Sequence, residues 1–223
     1  MADESASDEG DPAEWWDKVY DSDDPAPWDI GEPQPAFVEL AESGEIRGRV
    51  LDAGCGTGTH ARWAAGRQTA SSEPSVASLP KTAERGHPSV GVDVSEEGIE
   101  RAREKASQRE LDVSFRVANA LDLPDDLGPF DTVLDSGLFH AFESDQRGTY
   151  ADELADVVTT GGRVFVLGFR EGAPEDWGPN PFAPDDVRAA FSGDGWEIRE
   201  TQDVAFETRE TSVPGLLATV ERT

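Results

Sequence analysis

Two periodicities of apolar and polar positions take turns along this chain, and each change of period marks a strand giving way to a helix. Val50-Leu51-Asp52-Ala53 is an apolar run that halts at Gly54-x-Gly56-x-Gly58, which predicts a strand over 49–53 and a helix over 59–65. Val90-Gly91-Val92-Asp93 predicts a second strand closed by an acid. Ser95 then caps a helix with Glu96 and Glu97 in its first turn and Ile99, Ala102 and Ala106 along its buried stripe. Val113 to Val117 alternates as a third strand, and Phe130 to Asp135 is a fourth that stops at Asp135-Ser136-Gly137. A helix capped by Ser144, with Tyr150, Leu154, Val157 and Val158 on one face, is expected to end at Gly161-Gly162 before a fifth strand over 163–168. A helix from Pro184 turns Val187, Ala190 and Phe191 inward. Trp196 to Phe206 and Leu216 to Val220 have no helix between them and read as an antiparallel pair.

Strands that alternate with helices and end in Gly, Asp, Asn and Ser describe an α/β, doubly wound, mostly parallel sheet with an antiparallel last strand and a ligand site along its carboxyl edge. The length suits a single domain over 13–223, after an acidic, flexible tail over 1–12. Residues 66–82, rich in Ser, Ala and Pro, read as a surface insertion that interrupts a helix running from Ala61-Arg62-Trp63 to Ala83-Glu84-Arg85. Residues 13–45 hold an aromatic cluster, Trp15-Trp16-x-x-x-Tyr20 and Pro27-Trp28-Asp29-Ile30-Gly31, followed by a short helix around Phe37 to Ala41. Rings in this number either pack over a sheet edge or form a lid on a flat or cationic ligand.

Composition narrows the partners. With 47 acidic residues against 19 basic ones, the net charge of −28 makes nucleic acid and anionic membrane poor partners. No run of apolar residues is long enough to span a bilayer, and the N-terminus is acidic, so a cytoplasmic location is expected. Cys55 is the single cysteine, so no internal disulfide or thiolate metal cluster forms, and its place in the glycine turn favours a small structural role. His60 and His87 lack the spacing of a metal site. His140, after the Asp135-Ser136 turn, is the candidate general base, with a packing histidine as the alternative. Trp177 either walls the acceptor pocket or sits on the surface.

The glycines alone admit a methyl-donor cradle, a relaxed dinucleotide fingerprint ending at Ala61, or a bare turn. Together with Trp16-x-x-x-Tyr20, Pro27-Trp28-Asp29-Ile30-Gly31, Gly91-Val92-Asp93 and Asp131 to His140, the chain resembles class I S-adenosylmethionine-dependent methyltransferases, in the branch of thiopurine, thiol and halide methyltransferases. The resemblance implies a seven-stranded Rossmann-like sheet, S-adenosylmethionine as cofactor, a small-molecule methyl acceptor of soft character, no metal, and a monomer or weak homodimer. It implies that Trp16, Tyr20 and Trp28 cover the cofactor, that Gly54, Gly56 and Gly58, preceded by Asp52, admit its methionine part, and that Asp93 accepts the ribose hydroxyls. Asn119 and Ala120 would flank the adenine, with Asp135 and Ser136 beneath the sulfonium. Relatives often carry a basic residue where Ser136 stands, and Arg62 or His60 are the candidates to replace it. An NAD-dependent oxidoreductase and a non-catalytic cofactor-binding module are the competing functions; the former needs its ribose acid about 20 residues past the glycines, nearer than Asp93 unless the insertion is discounted.

Lysine is nearly absent, limited to Lys18, Lys81 and Lys105, and the acidic excess resembles that of proteins from salt-loving organisms. Repulsion among so many like charges is screened within about 3 Å at 1 M salt. Removing salt is therefore expected to unfold the chain. Circular dichroism in molar and in salt-free buffer checks this, and identical spectra would count against it.

Overall fold

The computed structural model describes residues 11–22, 24–66, 86–108, 111–173 and 181–223. The tail over 1–10, the insertion beyond Gly66 and Trp177 lie outside them. The strands are β1 (Val50–Ala53), β2 (Ser89–Asp93), β3 (Val113–Val117), β4 (Phe130–Ser136), β5 (Val158–Phe169), β6 (Trp196–Glu207) and β7 (Ser212–Arg222). They form one seven-stranded sheet in the order β3-β2-β1-β4-β5-β7-β6. The first five strands run parallel, and β7 pairs antiparallel with both β5 and β6. The chain winds outward from β1 through β2 to β3, then returns to place β4 on the other side of β1. That reversal opens a crevice at the carboxyl ends of β1 and β4.

The helices are α1 (Pro12–Asp21), α2 (Pro35–Glu42), α3 (Thr59–Ala65), α4 (Glu96–Ser107), α5 (Gln146–Val157) and α6 (Pro184–Ala190). Every residue of β1 and β2 is buried, as expected of parallel strands covered on both faces. Phe130, Phe139, Tyr150, Leu154 and Val187 build the core on the face of α5 and α6. Phe37, Leu134, Phe165 and Phe206 build another with α2. On α4, Ile99 and Ala102 pack against Phe115, with Ala106 partly buried beside them.

Three local readings of the sequence are corrected. Helix α1 begins at Pro12 with Asp11 as its cap, so the helix starts inside the stretch read as tail. Ser144 does not cap α5; Asp145 occupies that place without a side-chain bond, and Gln146 Oε1 reaches back to accept the Glu143 N–H. Gly161-Gly162 does not end α5 either, because Val157-Val158-Thr159-Thr160 is a β-branched run whose crowded side chains disfavour helix. Strand β5 starts at Val158, directly after the helix, and its pairing with β4 jumps from Phe130 opposite Val158 to Thr132 opposite Arg163. The two glycines lie in that irregularity, Gly161 with a φ of 79°. The chain re-enters after the insertion where it left, His87 N–H donating to the Ala64 carbonyl.

Candidate active site

The glycine turn leaves β1 through Gly54, Gly56 and Gly58, all with positive φ. A Cβ at Gly56 would stand 2.5 Å from Tyr20 Oη, and one at Gly54 would stand 2.9 Å from Leu138 Cβ. At both positions a side chain is excluded by conformation and by a neighbour seated on the turn. The Cys55 thiol is buried among carboxylates, which pushes its pKa well up, and a Cβ added at Gly91 would touch it. It is an inert packing group.

Asp93 ends β2 almost fully buried. Its Oδ2 accepts the Gly56 N–H at 2.8 Å and its Oδ1 accepts the Ser95 N–H at 2.9 Å. Burial raises its pKa, against the pull of those two bonds. Each oxygen keeps a further lone pair. Beside it, the Ala118 N–H donates to the Asp93 carbonyl, which brings Asn119 and buried Ala120 next to the carboxylate. Asn119 Oδ1 is taken by the Leu121 N–H.

Asp52 and Asp135 are turned into the fold. Asp52 Oδ2 accepts the Ala61 N–H at 2.7 Å and ties β1 to α3. Asp135 accepts the N–H groups of Leu138 and Phe139 and holds the turn after β4. Desolvation raises both to about 7. Neither reaches solvent, so both shape the crevice through the turns they hold. Ser136 follows at the end of β4, half-buried.

The aromatic segment covers this edge. The ring of Trp16 stacks on Tyr20 at 6.1 Å and meets Trp28 edge-on at 5.8 Å. Asp17 fastens α1 to the start of α4, its Oδ1 accepting the Ser95 hydroxyl at 2.6 Å and the Glu97 N–H at 3.2 Å. Asp29 fastens the next loop to the glycine turn, its Oδ2 accepting the Thr57 hydroxyl at 2.8 Å, with Lys105 Nζ at 3.8 Å. Lys105 also donates to Thr57 Oγ1. Sequence reasoning gave Asp17, Asp29, Thr57 and Lys105 no role. Asp29 stood inside the quoted Pro-Trp-Asp-Ile-Gly motif, while Asp17 and Lys105 look like any surface charge on a helix.

On the far side of the crevice, His140 is buried in a 3-10 turn over Phe139–Ala141. Its Nδ1 accepts the Phe169 N–H at 2.9 Å, and its ring lies 4.6 Å from Phe169 and 6.3 Å from Phe206. Desolvation lowers its pKa to about 3, so the ring is neutral with its proton on Nε2. With Nδ1 engaged inside the fold, this is the arrangement of the packing alternative, and Nε2 carries the ring's one N–H. His60 is likewise lowered, to about 4, and its Nε2 accepts the Gln34 N–H. His87 bonds the Gly48 carbonyl, away from the crevice. Among the described residues no cluster of His, Cys, Asp or Glu is arranged to hold a metal.

Contacts thus link Asp93, the glycine turn, Tyr20, Trp16 and Trp28, with the Asn119-Ala120 turn held beside Asp93, while Ser136 and His140 lie at and just after the end of β4. The donor set fits a nucleoside bearing a cation: a carboxylate with spare lone pairs for vicinal hydroxyls, bare backbone, and aromatic faces.

Comparison with known proteins agrees. A methyltransferase-domain model matches residues 50–162. A 2-heptyl-1-hydroxyquinolin-4(1H)-one methyltransferase of Mycobacteroides abscessus is 34% identical over 169 residues, which is 74% of this chain and 66% of that enzyme. A probable thiol methyltransferase 2 of Arabidopsis thaliana is 28% identical over 165 residues, 71% of this chain and 65% of its own length. A solved structure concerned with conversion of a disulfide bond into a thioacetal group during echinomycin biosynthesis is 32% identical, covers 94% of this chain and 91% of its own, and superposes with a TM-score of 0.78. The methyltransferase-domain match takes in the glycine turn and the acid-terminated β2, and the chain belongs to the class I S-adenosylmethionine-dependent methyltransferases.

Proposed function

We propose that this methyltransferase moves its methyl group to a small, soft nucleophile that arrives already anionic, a thiolate or a halide, by in-line displacement. The observation that carries the reading is the state of His140: a neutral ring whose acceptor nitrogen is occupied by the Phe169 amide. Such a ring cannot take a proton from an acceptor, but its Nε2–H can donate to one. S-adenosylmethionine supplies a sulfonium-bound methyl whose leaving group is a neutral thioether. The chain's part is then alignment and exclusion of water. Asp93 holds the ribose hydroxyls with its spare lone pairs, and the backbone of Gly54, Gly56 and Gly58 admits the methionine part. Trp16, Tyr20 and Trp28 roof it, and Asn119, through its amide nitrogen, and Ala120 flank the base. Asp52 and Asp135 act through their turns, and Ser136 lies under the reacting carbon. Of the two groups considered for the cofactor's carboxylate, His60 is neutral and engaged by Gln34, so the role falls to Arg62.

The thiol methyltransferase and the sulfur chemistry of the echinomycin structure support a sulfur acceptor. The quinolone methyltransferase makes a hydroxyquinolinone the acceptor to set against it.

A screen at molar salt with thiophenol, iodide, phenol and a hydroxyquinolinone tests the proposal. Thiophenol and iodide are expected to exceed the oxygen acceptors in kcat/KM by about tenfold or more, roughly 1.4 kcal/mol of transition-state preference. A preference for phenol or the quinolinone overturns it.

Asp93→Ala is expected to weaken S-adenosylhomocysteine binding by on the order of 1–3 kcal/mol, the loss of a charged acceptor. Calorimetry at molar salt measures this, and wild-type affinity would remove Asp93 from the site.

His140 also gives a pH signature. Its folded pKa lies below its ordinary 6.5, at about 3, so between these values the unfolded chain binds a proton that the folded chain does not. Its contribution is therefore lost as pH falls through that window, by up to about 1.4 kcal/mol per pH unit. Asp52 and Asp135, raised to about 7, work in the opposite direction, so the quantity to follow is the difference between wild type and His140→Phe. Urea unfolding is expected to show that margin shrinking as pH falls below 6.5. A margin independent of pH would mean that His140 titrates alike in both states.

A further inference from the structure

Gln34, the N-cap of α2, is only 1% exposed. Its Nε2 donates to the Glu207 carbonyl at 2.8 Å, and its Oε1 accepts the Glu207 N–H at 2.9 Å. The side-chain amide thereby pairs with β6 as a neighbouring strand would. Its own N–H donates to His60 Nε2 on α3 at 3.3 Å. Glu207 directly follows Phe206, whose ring lies 4.9 Å from Phe169 and 6.3 Å from His140. Upstream of Gln34 is the loop that Asp29 fastens to Thr57, and the same hairpin holds that loop a second time, Arg209 N–H donating to the Pro27 carbonyl at 2.8 Å.

We propose that Gln34 is a positioning residue that couples closure of the aromatic lid over the cofactor to the placement of the acceptor wall at Phe206. A carboxamide both donates to and accepts from the backbone of this one residue, which neither an ionised glutamate nor leucine can do. Breaking it in a buried place leaves the Glu207 N–H and carbonyl without partners, which is why the two parts stay joined. The cofactor half of the inference rests on the lid contacts; the acceptor half rests on the proposed placement of the nucleophile beside His140.

The test uses Gln34→Glu and Gln34→Leu in the full chain at molar salt. In Gln34→Glu, the ionised carboxylate would set a second oxygen against the Glu207 carbonyl, while the protonated acid recovers the donor. The titratable and charged groups around the site are His60 on α3, Asp29 and Arg209 beside the lid loop, and Glu207, whose carboxylate accepts the Ser212 hydroxyl. His60, held at about 4, stays neutral in the range used. Because Asp52 and Asp135 titrate near 7, every value is taken relative to wild type at the same pH.

Calorimetry with S-adenosylhomocysteine is expected to show Gln34→Glu weakened about tenfold near pH 8.5 and within about threefold of wild type near pH 5.5, with Gln34→Leu weakened at both. With thiophenol, KM is expected to follow the same reversal. The proposal is overturned if the two variants behave alike across pH, or if both bind S-adenosylhomocysteine as wild type does while only the melting temperature falls. Reversal in calorimetry with an unmoved KM overturns the coupling and leaves a lid anchor alone. If wild type does not turn thiophenol over, the soft-acceptor reading and with it the acceptor half fail, and calorimetry still decides the cofactor half.

Discussion

The Asp93 carboxylate is the knot in which three parts of the site are tied. A buried carboxylate is costly unless its oxygens are bonded, and Asp93 meets that demand with two backbone N–H groups from different segments, Gly56 in the glycine turn and Ser95 at the head of α4. The bond to Gly56 fixes how the turn leaves β1, and the bond to Ser95 fixes how α4 leaves β2. Ser95 in turn gives its hydroxyl hydrogen to Asp17 and accepts the Gly98 N–H. The lid's first helix is thus held, through one serine, by the same acid proposed to hold the ribose.

Carboxylates and one carboxamide, more than rings, hold the lid in place. Aromatic surfaces are attractive but weakly directional, and a stack such as Trp16 on Tyr20 tolerates sliding. Asp17 on α4, Asp29 on the glycine turn and Gln34 on β6 supply direction at three separate points. Asp17 meets a backbone donor at a helix start and Gln34 the free edge of a strand, places where a fold has unsatisfied polar groups to offer, while Asp29 meets the Thr57 hydroxyl. The rings are left to do what they do well, which is to exclude water from the space beneath them.

The sheet was legible because it depends on short-range pattern: β1, β2 and β4 are largely apolar runs that end in residues able to turn, β3 alternates, and Asp93 and the glycines mark the carboxyl edge without help from tertiary contacts. Boundaries failed where two local signals competed. Around Val157-Val158-Thr159-Thr160 the β-branched run overrode the glycines, and at Ser144 a residue of good capping type stood one place too early. The direction in which a side chain points was not legible at all. Asp52, Asp93 and Asp135 are each an acid at or near a strand end, and only the packed structure shows which backbone N–H groups each accepts: Ala61 for Asp52, Gly56 and Ser95 for Asp93, Leu138 and Phe139 for Asp135. The tautomer of His140 was beyond reach for the same reason, since it depends on the Phe169 amide, 29 positions away. Gln34 and Glu207 lie 173 positions apart, and no pattern in either segment announces their pairing.

The inward turn of Asp52 and Asp135 also makes sense as catalysis. A sulfonium is a cation that loses its charge as the methyl leaves, so in the transition state the positive charge beside the protein is already fading. A bare carboxylate directly beneath it would hold the starting state more strongly than the transition state and slow the transfer. Both acids at the centre of the edge are instead covered by backbone N–H groups and raised to about 7, so that near neutrality neither presents a full, exposed negative charge. In the proposed arrangement the cation is faced instead by the rings of Trp16, Tyr20 and Trp28, whose pull on a cation amounts to about 0.5–2 kcal/mol. That is enough to favour the charged cofactor over its neutral product and small enough to leave the reacting carbon free to go.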